Sequence, residues 1–281
     1  MTGYNTLCFV QVIPYLDWRN YMLLDISLRP KEGESIQIPR INLHLVQALI
    51  YGLLPRAFAT FLHDEGYEAA DRRYKLFAFS WPKSSVRPTF TEAHIVFQSP
   101  VTVTIATPVR ATISGVTDGA FRNEIVRIGN TPLLCSGVTI REPRAETGDI
   151  TVYTLSPITC YSTLYRKSGE PFTVYHHPEE SDFIEQIHTN LAHKRQALFP
   201  DGPLPEGKAQ ITPLGKIREQ VARFRPDDPR PIKGWWGRFR LQGPKELLQI
   251  ALDCGLGAKN SAGFGCVELS KGADSTVRNG R

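Results

Sequence analysis

The sequence predicts an α+β protein made of two tandem ferredoxin-like (RRM-like) βαββαβ domains. Three observations carry this reading. Strand-like apolar segments, such as 22–28 and 233–241, alternate with segments whose apolar residues recur at helical spacing, such as 42–54 and 179–199. In each half the order is strand, helix, strand, strand, helix, strand. A polar stretch, Glu142-Pro143-Arg144-Ala145-Glu146-Thr147-Gly148-Asp149, separates the halves like a linker. The duplication is one of element order, since the halves share no visible sequence repeat.

The expected organisation is an N-terminal extension over 1–20, a first domain over 21–143, a second over 150–270 that contains a glycine-rich loop, and a flexible tail over 271–281. In the first domain, the helical stripe Leu45, Leu49, Leu53 with Val46 and Ile50 defines a helix over 42–54. Pro55 stops that helix and suits the first position of another, which runs to about Glu65 before Gly66. Strands follow over 75–81, 93–97 and 101–105, then a weak helix over 111–121 and strands over 125–128 and 133–141. The second domain reads as a strand over 150–161 and a helix over 179–199 striped by Phe183, Ile187 and Leu191. Strands over 217–224 and 233–241, a helix over 244–254 and a strand over 264–269 complete it.

No apolar run is long enough to span a membrane, and residues 1–20 lack the basic and apolar regions of a secretory signal. The cysteines Cys8, Cys135, Cys160, Cys254 and Cys266 have no paired spacing, so a reducing cytoplasm is expected. The formal net charge is +5, and its distribution is uneven. Lys208, Lys216, Arg218, Arg223, Arg225, Arg230, Lys233, Arg238 and Arg240 face only Glu219, Asp227 and Asp228 in the same stretch. Phe224, Trp235, Trp236 and Phe239 are interleaved with them. Cations mixed with aromatic rings suit a polyanion that carries stackable bases. The plainer reading is a solvated basic face.

Near the chain's end, Gly255-Leu256-Gly257-Ala258-Lys259-Asn260-Ser261-Ala262-Gly263-Phe264-Gly265 joins a predicted helix to a predicted strand. It lacks the Gly-Lys-Ser/Thr ending of a P-loop and the spacing of a dinucleotide fingerprint. It reads either as a tight connection or as an anion-binding nest to which Lys259 adds charge.

Three stretches carry a resemblance to a known family: His44-Leu45-Val46-Gln47-Ala48-Leu49-Ile50-Tyr51, then Phe61-Leu62-His63 continuing to Tyr74-Lys75-Leu76-Phe77-Ala78-Phe79-Ser80, and the glycine loop. Thr154-Leu155-Ser156-Pro157-Ile158 is a minor fourth. On these the chain resembles the CRISPR-associated endoribonucleases that cut repeat RNA transcripts into guide RNAs, a branch of the RAMP superfamily. The match spans essentially 22–269. The resemblance implies a prokaryotic cytoplasmic protein with two ferredoxin-like domains side by side and RNA gripped across them. It implies cleavage without metal or cofactor, in which a ribose 2′-hydroxyl attacks the adjacent phosphate. The products are a 2′,3′-cyclic phosphate and a 5′-hydroxyl. The implied partner is CRISPR repeat RNA within its precursor transcript. Membership of an interference complex, and the choice between monomer and homodimer, stay open.

By the same resemblance His63 is the catalytic histidine, Tyr51 the second acid–base residue and Lys75 the cation. Each also has a plain reading: a surface histidine at a helix end, a packing tyrosine, and a lysine that guards a strand edge. On one straight helix Tyr51 and His63 would lie roughly 120° apart, at about 100° per residue, so their convergence requires a bend at Leu54-Pro55. Which is acid and which is base stays open. The RNA-gripping residues implied are Lys259 with Gly255, Gly257, Gly263 and Gly265, the cations Arg223, Arg225, Lys233, Arg238 and Arg240, and His44. His176 and His177 are adjacent, and His188 and His193 are five apart, so no metal-site spacing emerges. Two other functions compete: a repeat-RNA-binding subunit of the same superfamily that does not cut, and a ferredoxin-like metabolic or regulatory pair that binds a small anion.

Overall fold

A computed structural model of the protein describes residues 22–270; the expected extension over 1–20 and tail over 271–281 lie outside the described residues. The first half begins with β1 (Met22–Pro30), β2 (Ser35–Pro39), α1 (Leu43–Leu53) and α2 (Arg56–Asp64). A hairpin of β3 (Tyr67–Ala69) and β4 (Arg72–Tyr74) follows, then β5 (Ala78–Phe79), β6 (Thr89–Phe90), β7 (His94–Gln98), β8 (Val101–Thr107), α3 (Arg110–Arg122), β9 (Val126–Ile128) and β10 (Thr131–Arg141).

The main sheet of this half runs β5-β8-β1-β10-β9, with antiparallel neighbours throughout. With β9 as an edge addition, this is the topology of a βαββαβ unit: the first strand sits centrally between the third and the fourth. Alternation and helical periodicity meet in one buried cluster. Leu24, Ile26 and Leu28 of β1 pack with Val46, Leu49, Ile50 and Leu53 of α1 and with Val116 and Ala120 of α3. Close approach of α3 needs glycine: a Cβ on Gly119 would fall 2.0 Å from the Leu53 carbonyl oxygen. That contact holds the end of α1 in place.

The second half contains β11 (Asp149–Thr154), β12 (Tyr161–Tyr165), β13 (Pro171–Tyr175), α4 (Ser181–Leu198), β14 (Gln210–Ala222), β15 (Ile232–Gln242), α5 (Lys245–Cys254) and β16 (Val267–Leu269). Its sheet runs β14-β15-β11-β16, the same topology again. Phe183, Ile187 and Leu191 of α4 and Leu247, Leu248 and Ala251 of α5 cover one face over Val152, Phe239 and Leu241.

The halves meet through apolar and polar contacts. Leu23, Ala78 and Ala106 of the first pack against Leu155 and Cys266 of the second. Beside them Arg141 forks onto Asp25, with Nε 2.9 Å from Oδ2 and Nη2 3.1 Å from Oδ1. It also pairs with Glu268, whose other oxygen accepts from Tyr153 Oη at 2.6 Å.

Several segments depart from the sequence reading. The strand expected over 75–81 is reduced to Ala78–Phe79, because Leu76 turns the chain at φ +53°. The strand expected over 150–161 ends at Thr154, and Pro157 follows in the break. The strand expected over 217–224 starts earlier, at Gln210, and passes through an irregularity after Leu214. The strand over 93–97 forms, but pairs with β2 and β6 in a separate sheet. The hairpins β3–β4 and β12–β13 had no counterpart in the sequence reading.

Candidate functional site

α1 ends where Leu54 turns extended (ψ 152°), and Pro55 (φ −55°, ψ 135°) starts α2 on a new axis. The bend brings the rings of Tyr51 and His63 to 6.2 Å between centroids, nearly perpendicular at 81°. Lys75 Nζ donates to the His63 carbonyl oxygen at 2.7 Å, so the lysine caps the C-terminal end of α2. The three residues thus share one corner of the first domain. Lys75 reaches it from the turn after β4, not from a strand as expected.

The environments of the three differ. Tyr51 is half-buried against Phe77, and burial pushes its phenol up to about 12. His63 is exposed, and its Nδ1 lies 2.7 Å from Asp64 Oδ1, which fixes the ring's orientation. Lys75 is partly buried, which lowers its pKa; the Asp64 carboxylate counters that and Arg73 adds to it. Tyr74, next to Lys75, meets His193 of α4 at 3.1 Å between Oη and Nδ1. The turn that carries the lysine is therefore tied to the second domain.

The glycine loop is built differently from a phosphate cradle. Gly255, Gly257, Gly263 and Gly265 are all buried, with φ between +66° and +88°. A Cβ on Gly265 would fall 1.9 Å from the Leu256 carbonyl oxygen, and one on Gly263 2.9 Å from Phe79 of the first domain. Loop N–H groups are already used: Leu256 donates to Gly265, Ala258 to Thr159, and Gly265 to Pro157. Buried Lys194 of α4 donates to the carbonyls of Gly255 at 2.7 Å and Gly257 at 3.4 Å. From the first domain, Trp81 Nε1 donates to Gly263 at 2.9 Å and Gln47 Nε2 to Ser261 at 2.6 Å. These glycines fit a tightly packed junction between the halves. Lys259 alone of the proposed loop contacts is exposed, in the left-handed region at φ +57°, its ammonium 5.3 Å over the Tyr161 ring.

The basic hairpin β14–β15 sorts its cations. Arg223, Arg225 and Arg238 are exposed, Arg225 lying over the Phe224 ring. Lys233 pairs with Glu219 at 3.1 Å. Arg240 is forked onto Asp149, whose carboxyl it holds below the usual range. Trp235 is buried, as strand alternation requires of one member of the pair; Trp236 stacks edge-on with Trp81 across the domains, 5.3 Å between centroids. His44 holds the Phe224 carbonyl with Nδ1 at 2.9 Å, which joins the start of α1 to the hairpin.

Residues 140–269 match the family model described as CRISPR associated protein Cas6, C-terminal. A CRISPR-associated endoribonuclease Cas6 of Pyrococcus furiosus is 26% identical over 251 residues, which covers 87% of this chain and 88% of that protein. The chain is similar to Cas6 proteins over most of its length. A Cas6 endoribonuclease of Methanocaldococcus jannaschii is 24% identical, over 86% of this chain and 91% of its own length. Solved structures share the fold. One described as a Cas6-related gene product of Pyrococcus furiosus superposes with TM-score 0.76 at 20% identity, over 90% of this chain and all of that one. Another, described as an RAMP protein binding different RNA substrates, gives TM-score 0.73 at 16% identity, over 89% and all of the respective chains. The Cas6 family model covers the glycine loop and the basic hairpin. Tyr51, His63 and Lys75 lie outside it.

Sequence reasoning did not single out Asp64, Tyr74, His193 or Lys194 at this site. Asp64 is marked by its adjacency to His63. Nothing in the spacing of Tyr74 and His193, 119 residues apart, announces their contact.

Proposed function

We propose that this chain, like the Cas6 proteins it resembles, is an endoribonuclease that cleaves CRISPR repeat RNA within precursor transcripts. It does so without a metal, by attack of a ribose 2′-hydroxyl on the neighbouring phosphate, leaving 2′,3′-cyclic phosphate and 5′-hydroxyl ends. The observation that carries the reading is the convergence of Tyr51, His63 and Lys75 at the bend between α1 and α2. The reaction needs a base for the 2′-hydroxyl, a donor for the departing 5′-oxygen and positive charge beside the phosphorane. A phenol held at about 12 keeps its proton at neutral pH, so Tyr51 takes the donor's part. His63, oriented by Asp64, takes the base's. An ammonium has three N–H donors; Lys75 spends one on the His63 carbonyl and offers the others to phosphate oxygens. Exposed Lys259, Arg223, Arg225 and Arg238 grip the RNA backbone.

The test is incubation with repeat RNA in EDTA, followed by analysis of the new ends. Cleavage to cyclic-phosphate ends is expected. A need for divalent metal, or 3′-hydroxyl ends, would sink the mechanism. Tight binding with no cleavage would leave a non-cutting RNA-binding subunit.

A further inference from the structure

The β12–β13 hairpin is extra to the βαββαβ plan. It lies between β11 and α4 and forms a two-stranded sheet of its own. Its inner face is anchored: Ser162 Oγ lies 2.9 Å from His176 Nε2 and accepts from Gln186 Nε2 of α4 at 3.0 Å. Side chains alternate along a strand, so Tyr161, Thr163 and Tyr165 point the other way. The register sets Tyr175, Thr173 and Pro171 opposite them on the same outer face. At its foot the rings of Tyr161 and Tyr175 are 5.8 Å apart. There Lys259 of the glycine loop covers Tyr161, and Tyr175 Oη donates to the Pro231 carbonyl, just before β15, at 2.9 Å. The outer face therefore starts where the glycine loop meets the basic hairpin. It runs out through exposed Thr163 and Thr173 to Tyr165, 71% exposed opposite Pro171.

A cross-strand aromatic pair that stiffens the ribbon accounts for Tyr161 and Tyr175. It does not account for Tyr165. The cations at hand match a polyanion. Lys259 and Lys167 are exposed at the foot and the tip, whereas Arg166 and Arg230 are paired with Glu170 and Asp228. We infer that this outer face is a stacking platform for unpaired bases of an RNA strand, which passes Lys259 and runs along the ribbon to Tyr165. The ligand class is single-stranded RNA, because a duplex hides the base faces that an aromatic ring stacks upon. The inference rests on the proposed RNA function and adds to it a site for strand that is not being cut.

The full-length chain and its Tyr165→Ala and Tyr165→Phe variants are titrated by fluorescence anisotropy against a 2′-O-methyl single strand of repeat length, which lacks the attacking hydroxyl. The same strand is also tested within a duplex. Tyr165→Ala is expected to raise the single-strand Kd about tenfold, Tyr165→Phe less than about twofold, and neither to move duplex binding, since stacking needs the ring and an open base. An unchanged single-strand Kd for Tyr165→Ala, or equal losses on both RNAs, overturns the platform and leaves the endoribonuclease reading standing if the parent chain binds. A parent chain that binds neither RNA overturns both.

Discussion

In the proposed mechanism the chemistry turns on His63, which stands exposed at the end of α2 with its ring set by Asp64. His63→Ala should lower repeat-RNA cleavage at least ~100-fold with little change in binding, because a general acid–base group acts in the transition state; single-turnover cleavage and filter binding measure the two. Tyr51→Phe keeps the ring that packs on Phe77 but removes the donor, so the rate should fall while the fold's melting temperature holds. The pH profile tests the assignment of roles. With the Tyr51 phenol at about 12, its deprotonation contributes no alkaline loss of rate through pH 10. A rate that rises with pH as Tyr51 loses its proton, and loses that rise in Tyr51→Phe, would reverse the roles of Tyr51 and His63. Arg238 and Arg240 also part company at this scale. Arg240 is held by Asp149, so Arg238→Ala should weaken binding and flatten its salt dependence more than Arg240→Ala.

At the scale of elements, the glycine loop acts as a joint. Gly265→Ala puts a methyl group onto the Leu256 carbonyl at φ +70° and should destabilise the protein by at least ~2 kcal/mol in urea unfolding. Gly33→Ala is the control: φ is +78° but nothing lies within 4 Å, so only backbone strain of about 1 kcal/mol applies. α4 is the other joint. Its neighbouring residues His193 and Lys194 reach the Tyr74 hydroxyl of the first domain and the carbonyls of the glycine loop. The corner of Tyr51, His63 and Lys75 and the loop are thus referred to one helix of the second domain.

For the whole molecule, stability depends on the contact between the halves. Arg141 is the one cation bonded to both Asp25 and Glu268 among the described residues, and each carboxylate is mostly buried. Arg141→Met should cost about 3 kcal/mol, since removing one partner strands the charges left behind, and differential calorimetry should then separate the halves into distinct transitions. Burial also raises the thiols of Cys160, Cys254 and Cys266 above their ordinary 9.0, the last to about 12. Above pH 9 the unfolded chain sheds thiol protons that the folded chain keeps, so stability falls as pH rises. Lys194, lowered by burial from 10.5 to about 8, acts in the opposite sense up to pH 10.5. The three thiols outweigh it, and melting temperature should decline from pH 9 to 11; a rise would contradict the burial of these groups.

Periodicity and order were enough to read two βαββαβ units, because both sheets bury one face under helices and that burial imposes alternation on the strands and a stripe on α1 and α4. The bend at Pro55 was equally legible, since proline cannot continue a helix that needs its N–H. The basic stretch was visible as composition; its division into paired and exposed cations was not. Neither was the packing role of the glycines, because Phe79 and Leu256 approach them only in three dimensions. The corner of Tyr51, His63 and Lys75 lies between these cases: local chain geometry brings the first two together. The hold that His193 exerts on Tyr74 depends on contact between distant segments, which local sequence patterns do not encode.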